Sequence, residues 1–186
     1  MKIAYILFDG ITTLDFIGIY DPISRLQSLG FLPDLTWDIC AMSDSIKDSF
    51  GLEIKANKVR ETLEEYDMII VPGGYGTEGL QEDEAFKAWL KTAENVPYKV
   101  SICTGSLLLG AVGFLQNKKA TTHFDNYKNL EKYCNSVVKE RIVEDGQLIT
   151  AGAVASSLDL GLFICEKLAG SMAKNKIQQS MDYHPA

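Results

Sequence analysis

The chain has 186 residues, 46% of them hydrophobic and 23% charged, with a formal net charge of −7. That length and composition suit one soluble globular domain, read as residues 1–186. Basic residues do not cluster beyond Lys118-Lys119, which argues against a nucleic-acid surface, and the apolar run from Ile3 to Phe8 is too short for a membrane span or a signal sequence.

Taken in chain order, short apolar segments at residues 2–8, 35–41, 67–71, 99–102, 141–144 and 147–150 are predicted strands. Several are apolar on both faces, as in a parallel sheet covered on both sides. After the first of them, Asp21-Pro22 reads as an N-cap and first-turn proline opening a helix that runs to Leu29 and stops at Gly30. Residues 9–19 are then a loop. A surface helix is predicted over 83–93, with Phe86, Trp89 and Leu90 on its apolar face, and a buried one over the nearly all-apolar 105–112. Another covers 156–168, with Leu158, Leu162, Cys165 and Leu168 along one stripe. Asp145-Gly146 is a two-residue hairpin signal, so the strands flanking it are antiparallel. This alternation predicts an α/β three-layer sandwich, flavodoxin-like and of the kind found in class I glutamine amidotransferases, mostly parallel with one small antiparallel hairpin. Ligands of such sheets gather outside the carboxyl ends of the strands. Three segments leave those ends: residues 9–19, residues 72–79 and the corner at Cys103.

Cys103 stands between a predicted buried strand and the helix opened by Gly105-Ser106, where free backbone N–H groups favour a thiolate. Its plainer alternative is a small apolar residue closing a turn. Pro72-Gly73-Gly74-Tyr75-Gly76 carries three glycines in four positions, and such a loop brings N–H donors close to an adduct or simply makes a tight connection. Asp15 lies among Leu14, Phe16 and Ile17, so burial would raise its pKa and suit it to proton exchange with a substrate beside the cysteine. Thr104 offers a hydroxyl and an N–H, and His123 a ring that either tunes the cysteine or serves structure. Cys40, Cys134 and Cys165 read as packing residues; with no CxxC pair and two histidines, metal ligation is poorly supported. The terminal His184-Pro185-Ala186 lacks the carboxylate two residues after the histidine that an amidotransferase triad requires.

Pro72-Gly73-Gly74-x-Gly76, Ser101-Ile102-Cys103-Thr104-Gly105-Ser106, Ala120-Thr121-Thr122-His123 and Thr150-Ala151-Gly152 together resemble the ThiJ/PfpI superfamily over nearly the whole chain. Within it the chain is most similar to the isonitrile (isocyanide) hydratases, although Ile17, Ile19 and Phe124 depart from their pattern. The resemblance implies Cys103 as nucleophile and Asp15 as acid/base, hydrating an isonitrile to an N-substituted formamide through a thioimidate. In that scheme a Cys103 thiolate meets a protonated Asp15, and the Gly74 and Thr104 amides, with Gly73 and His123 alongside, hold substrate or developing charge. It further implies no cofactor, a cytoplasmic homodimer and a small-molecule substrate, with neither nucleic acid nor membrane as partner. Glyoxalase or deglycase activity, and a cysteine-based redox or small-molecule sensor, are the alternatives.

Overall fold

A computed structural model describes residues 1–184. Its strands are β1 (Lys2–Ile6), β2 (Thr36–Ala41), β3 (Ser45–Lys47), β4 (Glu53–Lys55), β5 (Lys58–Val59), β6 (Met68–Val71), β7 (Tyr98–Ile102), β8 (Lys119–Ala120), β9 (Ser136–Val137), β10 (Ile142–Asp145) and β11 (Leu148–Ala151). Seven of them form one sheet in the order β10-β11-β7-β6-β1-β2-β5, in which only β10 and β11 pair antiparallel. Successive side chains of a strand point to opposite faces, yet Ile3, Ala4, Tyr5 and Ile6 are all fully buried, so both faces are covered. This is the predicted flavodoxin-like sandwich, with the expected hairpin at Asp145-Gly146. The remaining strands form two small two-stranded sheets, β3 with β4 antiparallel and β8 with β9 parallel.

The first helix differs from its prediction. α1 spans Thr13–Ser28, so Pro22 lies inside it and Asp21 is not its cap. A proline there removes one helical hydrogen bond and crowds the preceding turn. Packing against α6 (Ser156–Ser180) offsets that loss. Gly18 and Gly161 bring the two helices together: a Cβ on Gly161 would lie 2.8 Å from Pro22 Cγ, and one on Gly18 would overlap Ser157 Oγ. The Cys165 thiol donates to the Pro22 carbonyl at 3.3 Å. Phe16, Ile19, Ile23 and Leu26 form the buried stripe of α1.

α6 also outruns its predicted end at residue 168. Gly170, at φ 81° and ψ 172°, breaks the helical geometry, and a second helical segment buries Ala173 and Ile177. Its core-facing residues include Leu160, Gly161 and Ile164, while Leu158 and Leu168 are only half-buried. The remaining helices are α2 (Thr77–Leu80), α3 (Glu84–Lys91), α4 (Gly105–Ala111) and α5 (Tyr127–Leu130). Asp83 caps α3 by accepting from the Ala85 and Phe86 amides, and Phe86, Trp89 and Leu90 are buried as expected. Among the described residues no helix is long and apolar enough to cross a membrane.

Candidate active site

The carboxyl ends of β1, β6 and β7 lie side by side, and the backbone joins the segments that leave them. The Thr12 amide donates to the Gly73 carbonyl at 2.9 Å, the Gly76 amide to the Gly10 carbonyl at 3.2 Å, and Ile11 forms an isolated antiparallel bridge with Gly74. Because α1 starts at Thr13, Asp15 sits in its first turn rather than in a loop. Its side chain is completely buried. Oδ2 accepts from the Gly73 amide at 3.0 Å, whereas Oδ1 has no hydrogen-bond partner.

Cys103 closes the site from β7. Its φ of +55° is a left-handed backbone that side-chain-bearing residues seldom adopt, and strain of this kind costs on the order of 1–3 kcal/mol. Four hydrogen bonds hold the corner. The Cys103 amide donates to the carbonyls of Ala151, at 3.1 Å, and Gly152, at 2.8 Å. The Cys103 carbonyl accepts from the hydroxyls of Thr122, at 2.9 Å, and Ser106, at 3.2 Å. Gly73 packs against the cysteine while its amide donates to the carboxyl: a Cβ there would lie 2.8 Å from Cys103 Cβ and 2.6 Å from the Thr104 amide nitrogen. Only glycine fits there.

Burial acts on the ionisation of both members of the pair. Burial pushes the Cys103 thiol up to about 12, the nearby Asp15 carboxylate adds to the rise, and the Thr104 amide and hydroxyl oppose it. Loss of water around the sulfur is the largest of these influences. Asp15 is itself raised by burial, from 3.8 to about 6, against the pull of the Gly73 amide and the Cys103 thiol. Loss of water thus pushes both groups toward their protonated forms. Such a pair titrates as a unit.

The loop glycines divide their roles. Gly73 donates to Asp15, but the Gly74 amide, expected to face developing charge, donates instead to Thr104 Oγ1 at 3.0 Å. The Thr104 hydroxyl then has the Gly74 carbonyl, at 3.3 Å, and the sulfur as competing acceptors for its single proton. The Thr104 amide is the backbone donor that bears on the sulfur. His123 lies farther out. Its Nδ1 accepts from the Asp125 amide at 3.3 Å, its ring stacks on Phe124, and it lines the mouth of the cavity over Cys103. That cavity measures about 680 Å³ and is also lined by Thr12, Gly74, Thr104 and Leu107.

Sequence reasoning missed Thr122. The adjacent Thr121-Thr122 pair just before His123 was the available signal, and it is the hydroxyl of this segment, not its imidazole, that reaches the Cys103 backbone. Cys40 and Cys165 are buried and Cys134 half-buried, as packing residues would be. His184 is exposed and contacts the Asp182 carboxylate at 3.2 Å; Pro185 and Ala186 lie outside the described residues. Among the described residues no cluster of three or more His, Cys, Asp or Glu is arranged to hold a metal ion.

Known proteins share both the pattern and the shape. The isonitrile hydratase of Pseudomonas putida is 35% identical over 188 residues, an alignment covering all of this chain and 80% of that protein. A ThiJ/PfpI family protein from Pseudomonas syringae, 28% identical, superposes with a TM-score of 0.88 over 100% of this chain and 76% of its own. DJ-1beta of Drosophila melanogaster, 20% identical, shares the fold with a TM-score of 0.84 over 99% and 98% of the two chains. Residues 1–167 match the DJ-1/PfpI family, and the chain belongs to it.

Proposed function

We propose that this protein hydrates isonitriles to N-substituted formamides, with Cys103 as nucleophile and Asp15 as the group that moves protons. One observation carries the reading: a buried carboxyl, held by the Gly73 amide, lies beside a buried thiol that lines an open cavity. A terminal isonitrile carbon needs a sulfur nucleophile and a proton on the same atom. The similarity to the Pseudomonas putida hydratase supports the same choice.

In the first step Asp15 takes the thiol proton as sulfur bonds to the isonitrile carbon, then delivers it to that carbon. The product is a thioimidate, with carbon bonded to sulfur and hydrogen and doubly bonded to nitrogen. In the second, the Asp15 carboxylate removes a proton from water as the oxygen adds to the thioimidate carbon, and passes that proton to the nitrogen. The C–S bond then breaks, the proton of the new hydroxyl returns to sulfur by way of Asp15, and the formamide leaves. One isonitrile and one water give one formamide. The Thr104 amide stabilises charge on sulfur in both steps; loss of one such donor typically costs about 10²–10³ in rate. Gly73 keeps Asp15 aimed, while Gly74, Thr104 and His123 line the space for substrate. The same reading takes the protein as a cytoplasmic homodimer that needs no cofactor, and sedimentation velocity tests its assembly.

The deciding experiment offers an alkyl isonitrile and, separately, methylglyoxal to the purified protein and to its Cys103→Ser and Asp15→Asn variants. Formamide from the wild type alone is the expected result. Loss of methylglyoxal without formamide would replace this reading with glyoxalase or deglycase chemistry. Selective oxidation of Cys103 with neither compound consumed would make it a sensor instead.

A further inference from the structure

The charges around the cavity are one-sided. Glu78, on α2, and Asp125, in the turn at Phe124–Asn126, both line it, and among the described residues no Lys or Arg does. Asp125 Oδ2 lies 3.6 Å from His123 Nδ1, and Glu78 approaches from a separate element. Three aromatic rings complete the mouth: Phe50, Tyr75 and Phe124 are 92%, 82% and 61% exposed, and of these Phe124 stacks on His123. A neighbouring cleft, by contrast, carries Arg60 beside Asp9 and Asp83.

Carboxylates combined with exposed aromatic faces suit an organic cation. Ring quadrupoles attract an ammonium group, and a cleft lined by one sign of charge concentrates ligands of the other. We infer that the cavity selects its substrate by charge, admitting isonitriles with a neutral or ammonium-bearing substituent and rejecting those that carry a carboxylate, with Glu78 and Asp125 as the residues that set this preference. The isonitrile half of that statement rests on the proposed function; the charge rule does not.

Two measurements separate the halves. In the first, three isonitriles of equal chain length, ending in methyl, trimethylammonium or carboxylate, are compared by kcat/KM. In the second, Cys103 is labelled with methanethiosulfonates bearing trimethylammonium or sulfonate, located by peptide mass and normalised to a free thiol. Ammonium should be preferred over its anionic counterpart by about tenfold or more in each, the lower end for a charged cleft. Glu78→Gln combined with Asp125→Asn should remove most of that preference, and each single change part of it. Equal rates for the two charges, or a preference that survives the double substitution unchanged, overturns the rule. Formamide production without charge preference leaves the hydratase reading standing and removes this one. No turnover of any isonitrile, with a labelling preference that collapses in the double variant, does the reverse.

Discussion

Replacing Asp15 with Asn should stabilise the protein, and by more at pH 7.5 than at pH 4.5. The Asp15 carboxyl binds its proton more tightly when folded, because burial raises its pKa from 3.8 to about 6. A group shifted upward favours the fold below its unfolded pKa and loses that advantage as pH rises through the folded one. The penalty on the wild type therefore builds from about pH 4 to pH 6 and stays constant above. From 3.8 to about 6, at about 1.4 kcal/mol for each pH unit, it reaches about 3 kcal/mol at pH 7.5 and about a third of that at pH 4.5. For a chain of this size the larger figure corresponds to roughly 6–12 °C in Tm. Asn keeps an oxygen for the Gly73 amide and carries no charge, and any fixed cost of the exchange cancels between the two pH values. Thermal melts of both proteins at pH 4.5 and 7.5 provide the test. An equal gain at both, or a larger one at pH 4.5, would show that the buried carboxylate is not the source of strain.

Gly73→Ala should cut kcat/KM for formamide formation by about 10², since atoms at 2.6–2.8 Å from the new Cβ must move by up to roughly 1 Å and reacting groups do not tolerate that. Activity within twofold of wild type would refute the close-packing role of Gly73. Thr122→Val leaves the buried Cys103 carbonyl one donor short and should cost about 1–3 kcal/mol in urea titrations. It should also slow Cys103 labelling, and Thr122→Ser should restore both; failure of the serine variant to do so would mean the hydroxyl is not what matters. Gly18→Ala, whose Cβ overlaps Ser157 Oγ, should destabilise by about 1–3 kcal/mol without changing the rate of Cys103 labelling at pH 7.5.

Strand positions were legible because each main strand is a short apolar run between polar turns, and the Asp145-Gly146 hairpin because its turn chemistry is local. Pro22 misled for the opposite reason. Its local preference for a first turn lost to the burial of Phe16, Ile19, Ile23 and Leu26 against the rest of the fold, a period that runs through the proline. The β3–β4 hairpin has polar strands only three residues long, below the level at which alternation is informative. At the site, Asp15 stood out as a lone carboxylate among apolar neighbours and Cys103 as a corner between strand and helix. The upward push on the Cys103 thiol was not legible, since it depends on how far the sulfur is removed from water. Nor was the engagement of the Gly74 amide with Thr104, 30 residues away, which only the tertiary fold brings about.

The stitching of the segment after β1 to the loop after β6 also bears on when the site comes into being. Its bonds join residues about 60 positions apart, among them Thr12 to Gly73 and Gly73 to Asp15, as far apart in sequence as the β1–β6 pairing beside them. A chain could hold most of its parallel sheet before these loops close, and reopen them before the sheet is lost, because surface connections belong to the less stable part of a structure. Competence for chemistry and possession of the fold are then two thresholds rather than one. In rising denaturant, Cys103 should lose its particular reactivity while the sheet still stands.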